Sequence, residues 1–220
     1  MIIAVDGPAA SGKGTLARRL AGKYNLAYLD TGSLYRAVAY EVLHQGKDPK
    51  NEDTAVEVAK ALDLSNIEDD VLRTAEVGAA ASIVAAMSGV REAIREFQRQ
   101  FAATPPSGQA GAVLDGRDIG TVICPDADVK LFVDASAEIR AKRRFLELQE
   151  RGAADGITEE ALLADLKERD TRDRTRADSP LKPAENAHLL DTSNLSIEAA
   201  FQAACAIVDR ALEAKNKTAP

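Results

Sequence analysis

Cysteine and histidine are scarce in this chain of 220 residues, which contains two of each. Cys124 and Cys205 lie far apart and match no spacing of metal ligands or redox-active pairs. We therefore expect packed, reduced thiols and a cytoplasmic location. His44 and His188 lie outside every motif described below, so no motif includes a histidine base.

An excess of positive charge and long apolar runs are also missing. The formal net charge is −7, whereas proteins that bind phosphate backbones carry an excess of Lys and Arg. No apolar stretch approaches the roughly 20 residues needed to cross a bilayer, and the N-terminus does not resemble a secretion signal. We expect neither nucleic acid nor a membrane as partner, so any basic site must be local.

Short apolar runs alternate with helical patterns along the chain. The runs at residues 2–5, 111–114, 129–133 and 188–190 are each followed by an aspartate, and a further run ends near Leu29. The alternation predicts an α/β fold with a doubly wound parallel sheet of about five strands, which binds ligands at the carboxyl ends of its strands. Helices are predicted over residues 13–24, 33–45, 52–62, 71–86, 90–103, 137–151, 159–176 and 197–215.

The region between residues 46 and 110 shows helical patterns and no convincing strand. It therefore predicts a helical insertion between strands of the sheet. We expect one domain, with a core of about 1–45, 111–148 and 177–215, an insertion of about 46–110 and a short lid of about 149–176.

The N-terminal stretch IIAVDGPAASGKGT contains G-x-x-x-x-G-K between a predicted strand and a predicted helix. Glycines let the backbone turn tightly so that its N–H groups reach phosphate oxygens, and Lys13 adds a mobile cation. This P-loop pattern predicts a P-loop NTPase-type fold that binds ATP. The predicted ATP-binding residues of the loop are Gly7, Pro8, Ala9, Ala10, Ser11, Gly12, Lys13, Gly14 and Thr15.

Gly14 stands where the usual P-loop has a Ser or Thr hydroxyl that binds magnesium. Either Thr15, one residue later, or water is expected to take that place. The GKGT spelling resembles that of nucleoside monophosphate kinases, in which triphosphate oxygens and water hold most of the metal.

The stretch LDTGSLYR lies at the end of a predicted strand and the start of a helix. Asp30 and Thr31 either cap that helix or contact a ligand. Arg36 lies one turn into the helix, where its guanidinium could bind the phosphate of an acceptor through two N–H groups.

A second arginine-rich stretch, ERDTRDRTR, falls within a predicted helix. Helical spacing gathers three arginines and one carboxylate on a single face. Such a face is either a solvated, salt-bridged surface or a site for a polyanion. Its members are Arg169, Arg172, Asp173 and Arg176.

Together with DGRDIGT at residues 115–121, these motifs resemble those of bacterial cytidylate kinases, over residues 3 to 211. The resemblance implies phosphorylation of CMP and dCMP by ATP with Mg²⁺, on a core with a helical monophosphate-binding region and a short lid. The CMP-binding residues that it implies are Thr31, Arg36, Ser82, Arg91, Arg117, Asp118, Arg169, Asp173 and Arg176. The catalytic residues are predicted to be Lys13, Arg117, Arg169 and Arg172.

Within this set, the resemblance places Asp173 and Arg176 on the base. Cytosine fits them because its exocyclic amino group needs an acceptor, while its N3 and O2 need donors. Uracil reverses part of this pattern, and a site built for hydrogen bonds can reject a mismatched analogue by roughly 10⁴-fold. The resemblance also places Ser82, Arg169 and Asp173 near the ribose, and Arg36, Arg91 and Arg117 at the phosphate; Asp118 would orient an arginine or a water.

Arg140, Arg143 and Arg144 form a stripe on the helix that precedes the predicted lid. The stripe is either a basic surface or part of a lid with arginines on both arms. We predict that Arg140 and Arg144 contact ATP and that the lid excludes water from the triphosphate.

A phosphate acceptor is already ionised at neutral pH, so direct in-line transfer needs alignment and charge neutralisation and no general base. Two alternatives stay open: a kinase for another nucleotide or an alcohol, and a nucleotide-controlled switch without a second substrate. We expect a monomer, because no long apolar surface stripe is present. Many cytidylate kinases carry a small antiparallel sheet between the positions matching Leu62 and Thr74, and the segment here is too short for it.

Overall fold

The computed structural model of the chain describes residues 1–62 and 70–218. It contains a five-stranded parallel sheet in the order β2-β3-β1-β4-β5, which confirms the predicted fold class. The strands are β1 (Ile2–Asp6), β2 (Ala27–Asp30), β3 (Ala112–Gly116), β4 (Val129–Asp134) and β5 (His188–Asp191). The short segment predicted to lack an antiparallel sheet lies largely outside the described residues.

The three central strands β1, β3 and β4 are almost wholly buried, whereas three of the four residues of the edge strand β5 are exposed. Helices cover both faces of a parallel sheet, so its inner strands read as continuous apolar runs. The residue pairs Asp30–Asp115 and Asp134–Asp191 lie in register on neighbouring strands. Carboxylates therefore line the carboxyl edge of the sheet, where ligands bind in such folds.

Eight α-helices are present in the described part of the chain, together with short 3₁₀ segments and a π-helical turn at Ile119–Ile123. The α-helices are α1 (Lys13–Tyr24), α2 (Thr31–His44), α3 (Glu52–Lys60), α4 (Ala75–Val84), α5 (Ser88–Ala103), α6 (Ala137–Glu150), α7 (Glu159–Thr175) and α8 (Ile197–Thr218). The helix predicted over residues 71–86 is interrupted. A 3₁₀ turn spans Val71–Arg73, and α4 begins only after Thr74, which is extended and accepts the Val77 N–H with Oγ1 at 3.3 Å.

Two hydrophobic cores hold the parts of the fold that meet at the site. One lies between α1, α8 and the sheet, and its members include Leu20 and Val133. The other joins α2 to α3, α4 and α5 around Leu34, Val42 and Val84. Helix α2, which the sequence boundaries assign to the core, thus packs its apolar face against the helical insertion. Both cysteines are buried and unpaired.

No single described helix is long and apolar enough to cross a membrane. Only α4 and α5 taken together reach that length and composition, and they meet at an angle of 98°.

Candidate active site

The P-loop joins β1 to α1. At Gly7, a Cβ atom would lie 2.0 Å from the carbonyl oxygen of Val133, so only glycine fits. Gly12 has a φ of 86° at the start of α1, and no side chain caps the helix there. The first N–H groups of α1 therefore remain available to an anion.

The structure gives a local reason for glycine at position 14. A Cβ atom there would lie 3.0 Å from Oδ2 of Asp115 and 3.7 Å from the hydroxyl of Tyr28. A Ser or Thr side chain would crowd this buried carboxylate, which lies near the end of β3. The aspartate from the sheet edge thus occupies the space next to the position where the usual P-loop hydroxyl stands.

Lys13 and Asp115 shift each other's ionisation inside the site. Burial, followed by repulsion from Arg117, lowers the pKa of Lys13 to about 8, although Asp115 and Asp30 oppose the shift. Burial also raises the pKa of Asp115 to about 7; attraction to Lys13 opposes this, and Asp30 adds to it. Burial is thus the main cause of both shifts, and the attraction between Lys13 and Asp115 partly offsets it.

One cavity of about 1460 Å³ runs from the P-loop past α2 and α4 to α7. It is lined by residues of the core, of the predicted insertion and of the predicted lid. The sequence-predicted residues that line it are Ala9, Ala10, Ser11, Gly12, Lys13, Gly14, Thr15, Thr31, Arg36, Ser82, Arg91, Arg117, Asp118, Arg144, Arg169, Arg172, Asp173 and Arg176. Gly7, Pro8 and Arg140 are not among the lining residues.

Arg117, which follows β3, contacts the α7 carboxylate of Asp173. The Arg117 Nε donates to Oδ2 of Asp173 at 2.8 Å, and its Nη1 donates to the Gly116 carbonyl at 3.2 Å. Burial alone would raise the pKa of Asp173, but Arg117, Arg169 and their neighbours overcome it and lower that pKa. Asp173 is thus a charged acceptor held at the cavity wall.

Asp118 brings two further arginines together. Its Oδ2 accepts Nη2 of Arg91 at 2.5 Å, and its Oδ1 lies 3.8 Å from Nη2 of Arg176. Arg176 also donates Nε to the carbonyl of Ser179 at 2.7 Å, and Arg91 donates Nη1 to the carbonyl of Ala85. Arg91, from the helical insertion, and Arg176, from the end of α7, therefore reach the same wall of the cavity.

Several polar atoms at the cavity are buried without a hydrogen-bond partner in the described part of the chain. They are Oγ of Ser11 and Ser82, Oδ1 of Asp115, and Nε of Arg91, Arg169 and Arg172. Burial, followed by repulsion from Arg117, lowers the pKa of Arg169 to about 10. Buried guanidinium donors without partners, together with the lowered pKa of Arg169, indicate a site that is suited to an anion.

Asp30 occupies the N-cap position of α2, but neither its side chain nor that of Thr31 forms a capping hydrogen bond. The Thr31 hydroxyl donates to the carbonyl of Asp115 at 2.7 Å, which ties the start of α2 to β3. The Asp30 side chain makes no capping hydrogen bond at the N-terminus of α2. The carboxylate is instead part of the cluster around Lys13 and Asp115.

Arg140, predicted to contact ATP, lies outside the cavity lining and is engaged by other parts of the protein. Its side chain is 4% exposed and donates to Asp170 and to the carbonyls of Ala9 and Ala135. The neighbouring Arg143 lines the cavity instead and donates to the carbonyl of Thr192 at 2.6 Å. Arg140 and Arg143 lie about one turn apart on α6, so the sequence pattern places them on the same stripe, yet their side chains have different surroundings.

Three residues outside the predicted binding set, Tyr28, Asp30 and Asp115, also line the cavity. The signal for the two aspartates was present, because each follows an apolar run that forms a strand. The described residues contain no group of three or more His, Cys, Asp or Glu that could hold a metal ion by themselves. Asp115 Oδ1, a buried carboxylate oxygen without a partner among the described residues, has the chemistry that suits Mg²⁺ or its water ligands.

Comparison with known proteins agrees with this geometry. Residues 3–210 match the cytidylate kinase family. A cytidylate kinase from Afipia carboxidovorans is 58% identical over 211 residues, covering 96% of this chain and 98% of its own. The cytidylate kinase of Mesorhizobium japonicum is 55% identical over 215 residues, covering 98% of this chain and 97% of its own.

The crystal structure of an uncharacterized protein from Eubacterium ventriosum is similar in fold. It aligns with a TM-score of 0.51 at 16% identity, over 95% of this chain and 98% of that chain. At this identity the likeness concerns the fold alone. The family match and the full-length relatives carry the assignment: the chain belongs to the cytidylate kinase family and is a kinase.

Proposed function

We propose that this kinase transfers the γ-phosphoryl group of ATP to CMP and dCMP. The observation that carries the proposal is a cavity in which the P-loop faces a cluster of arginines whose Nε atoms are buried and have no hydrogen-bond partner among the described residues. A second anion beside the P-loop would satisfy these donors. The names of the full-length relatives support cytidine monophosphate as that anion.

On the donor side, the loop from Gly7 to Thr15 would wrap the ATP phosphates with its N–H groups, with Lys13 adding charge. A bound phosphate would restore full protonation of Lys13, whose pKa is lowered to about 8. Arg144 lines the same cavity and would contact ATP.

Mg²⁺ would arrive with ATP and neutralise charge on its phosphates. Asp115, through its buried Oδ1, and Thr15, which lines the cavity, are the residues that would hold the metal or its water ligands.

On the acceptor side, Arg36, Arg91 and Arg117 would bind the CMP phosphate, with Thr31 near the nucleotide. Asp173 would accept the cytosine amino group, since a carboxylate can accept bonds beyond the one from Arg117. Arg176 would donate to the base and Asp118 would orient the arginines. The buried hydroxyl of Ser82, which has no partner within residues 1–62 and 70–218, would meet the ribose together with Arg169.

The transfer itself would be direct and in line, without a general base. The CMP phosphate is ionised at neutral pH and can attack the γ-phosphorus as it is. Lys13, Arg117, Arg169 and Arg172 would neutralise the charge of the transition state, and one such arginine can be worth roughly 10³-fold in rate. Neither His44 nor His188 lines the cavity.

We also propose how the parts of the protein act. The helical insertion of about 46–110 would close on CMP and the lid of about 149–176 on ATP, which limits hydrolysis by water. The net charge of −7 supports a protein without nucleic-acid or membrane partners, and we propose a cytoplasmic monomer.

The test is ADP release from ATP and Mg²⁺ with CMP, dCMP, UMP or AMP as acceptor. We expect CMP to be a far better acceptor than UMP. Asp173→Asn should lower kcat/KM for CMP by about 10² to 10⁴-fold and narrow the preference over UMP, because the amide can donate to uracil O4. Glu160→Gln, on the exposed first turn of the same helix, is the matched control and should leave turnover unchanged.

Two outcomes would contradict the proposal. Release of ADP that no acceptor stimulates would favour the nucleotide-controlled switch. Preference for UMP or AMP would favour a kinase for another nucleotide and remove Asp173 from the base.

A further inference from the structure

Arg140 connects three parts of the molecule. From α6 its Nε donates to the carbonyl of Ala135 at 2.9 Å, and its Nη1 donates to the carbonyl of Ala9 at 3.1 Å. Nη1 and Nη2 also form a two-pronged pair with Asp170 of α7, at 3.1 and 2.5 Å. The guanidinium is therefore committed to the protein, which is typical of a positioning role.

The α7 end of this link lies among the residues proposed to bind CMP. Asp170 directly follows Arg169 and lies three residues before Asp173, so the three side chains share about one turn of the helix. A helix moves as a rigid element over this length. A translation or rotation of α7 that moves Asp170 therefore also displaces Arg169 and Asp173.

The P-loop end of the link is a backbone position under constraint. Ala10 has a φ of 59°, a left-handed conformation that is unfavourable for a non-glycine residue and persists only where its surroundings hold it. Arg140 holds the carbonyl of the preceding Ala9. Ala9 also packs on Ala141 of α6 and Leu166 of α7.

We propose that the Arg140–Asp170 pair couples the phosphate-binding shape of the P-loop to the position of α7. Arg140 is then a positioning residue. Binding of CMP, which moves or fixes α7, changes the affinity of the P-loop for ATP or ADP through this link. The CMP arm of the inference rests on the proposed function, whereas the link to the P-loop rests on the contacts alone.

The experiment measures the Kd of a fluorescent ADP analogue, with and without saturating CMP, for the full chain and three variants. Arg140→Lys keeps the positive charge but loses the two parallel N–H donors of the guanidinium. Asp170→Asn keeps the shape of the side chain but loses its negative charge. Glu138→Gln is the control. It removes an exposed pair at 3.4 Å between Glu138 and Lys167, which also joins α6 to α7. Within the described part of the chain, this pair forms no hydrogen bond or ion pair with the P-loop.

We expect Arg140→Lys and Asp170→Asn each to weaken ADP binding by about tenfold. The double variant should be no weaker than either single variant, because residues that act as one unit are not additive. The ratio of the ADP Kd values without and with CMP should fall toward one in both variants. Glu138→Gln should retain the wild-type affinity and ratio.

Wild-type ADP affinity in both variants, with only a lower Tm, would overturn the proposal in favour of a purely structural pair. A wild-type ratio of one, or an unchanged ratio in Asp170→Asn, would overturn the coupling. If Asp170→Asn is not recovered folded, Arg140→Lys decides, because it leaves the carboxylate beside a cation. If CMP is neither bound nor phosphorylated, the proposed function fails, and the ADP affinities still decide the link to the P-loop.

Discussion

At the residue scale, the P-loop depends on glycines whose neighbours are backbone atoms. Gly7→Ala would place Cβ 2.0 Å from the carbonyl oxygen of Val133, so the loop or β4 must move. We expect a loss of several kcal/mol in the free energy of unfolding, or no folded protein. Urea denaturation measures the effect.

The matched control is a glycine in open space. Gly22 lies in α1, and a Cβ there meets no atom within 4 Å. Gly22→Ala should therefore stabilise the protein by about 0.5 to 1 kcal/mol, since alanine loses less backbone entropy in a helix. Equal effects of the two changes would contradict the crowding at Gly7.

At the scale of elements, α7 carries Arg169 and Arg172, which we propose act on CMP, in its last two turns and is capped at the opposite end. Oγ1 of Thr158 accepts the N–H of Ala161 at 3.2 Å. Thr158→Ala should lower the free energy of unfolding by about 1 kcal/mol, and Thr158→Ser should keep most of it. Because Arg169 lies about three turns away, kcat for CMP should stay within about twofold of wild type. A larger fall in kcat would mean that fraying reaches the site.

At the scale of the whole molecule, buried carboxylates set the pH dependence of stability. Burial raises the pKa of Asp6 to about 6, against the N–H groups of Ile119 and Gly120, and raises that of Asp115 to about 7. The folded state thus holds more protons than the unfolded state between these values and the ordinary 3.8. Stability from these groups is present below pH about 4 and is lost as pH rises toward 7.

Between pH about 4.5 and about 7.5, the contribution of these two carboxyl groups to the free energy of unfolding should therefore fall. The fall is at most about 1.4 kcal/mol per pH unit for each group, and urea denaturation measures it. Asp115→Asn should flatten the slope because it removes one titrating carboxyl. Asp126→Asn, at an exposed position, should keep it. An unchanged slope in Asp115→Asn would contradict the raised pKa of Asp115.

Much of the fold and part of the site could be predicted from local patterns. Periodicity and the residues flanking each run located all five strands and the bounds of α1. The prediction of a continuous helix over residues 71–86 failed at Thr74, an extended residue whose hydroxyl caps the start of α4. Arg140 and Arg144 looked equivalent on a stripe, yet only Arg144 reaches the cavity.

The sequence by itself determined the doubly wound sheet, the P-loop and the family, because these depend on spacing and residue type along short segments. Only the tertiary structure decided that Arg140 holds Ala9, 131 residues away, and that Asp115 fills the space beside Gly14. Such partners come from distant segments, and which face of a helix they meet depends on packing. A sequence pattern indicates which side chains share a face of a helix. A hydrogen bond requires the donor–acceptor distance to be right to within a few tenths of an ångström, which the pattern does not specify.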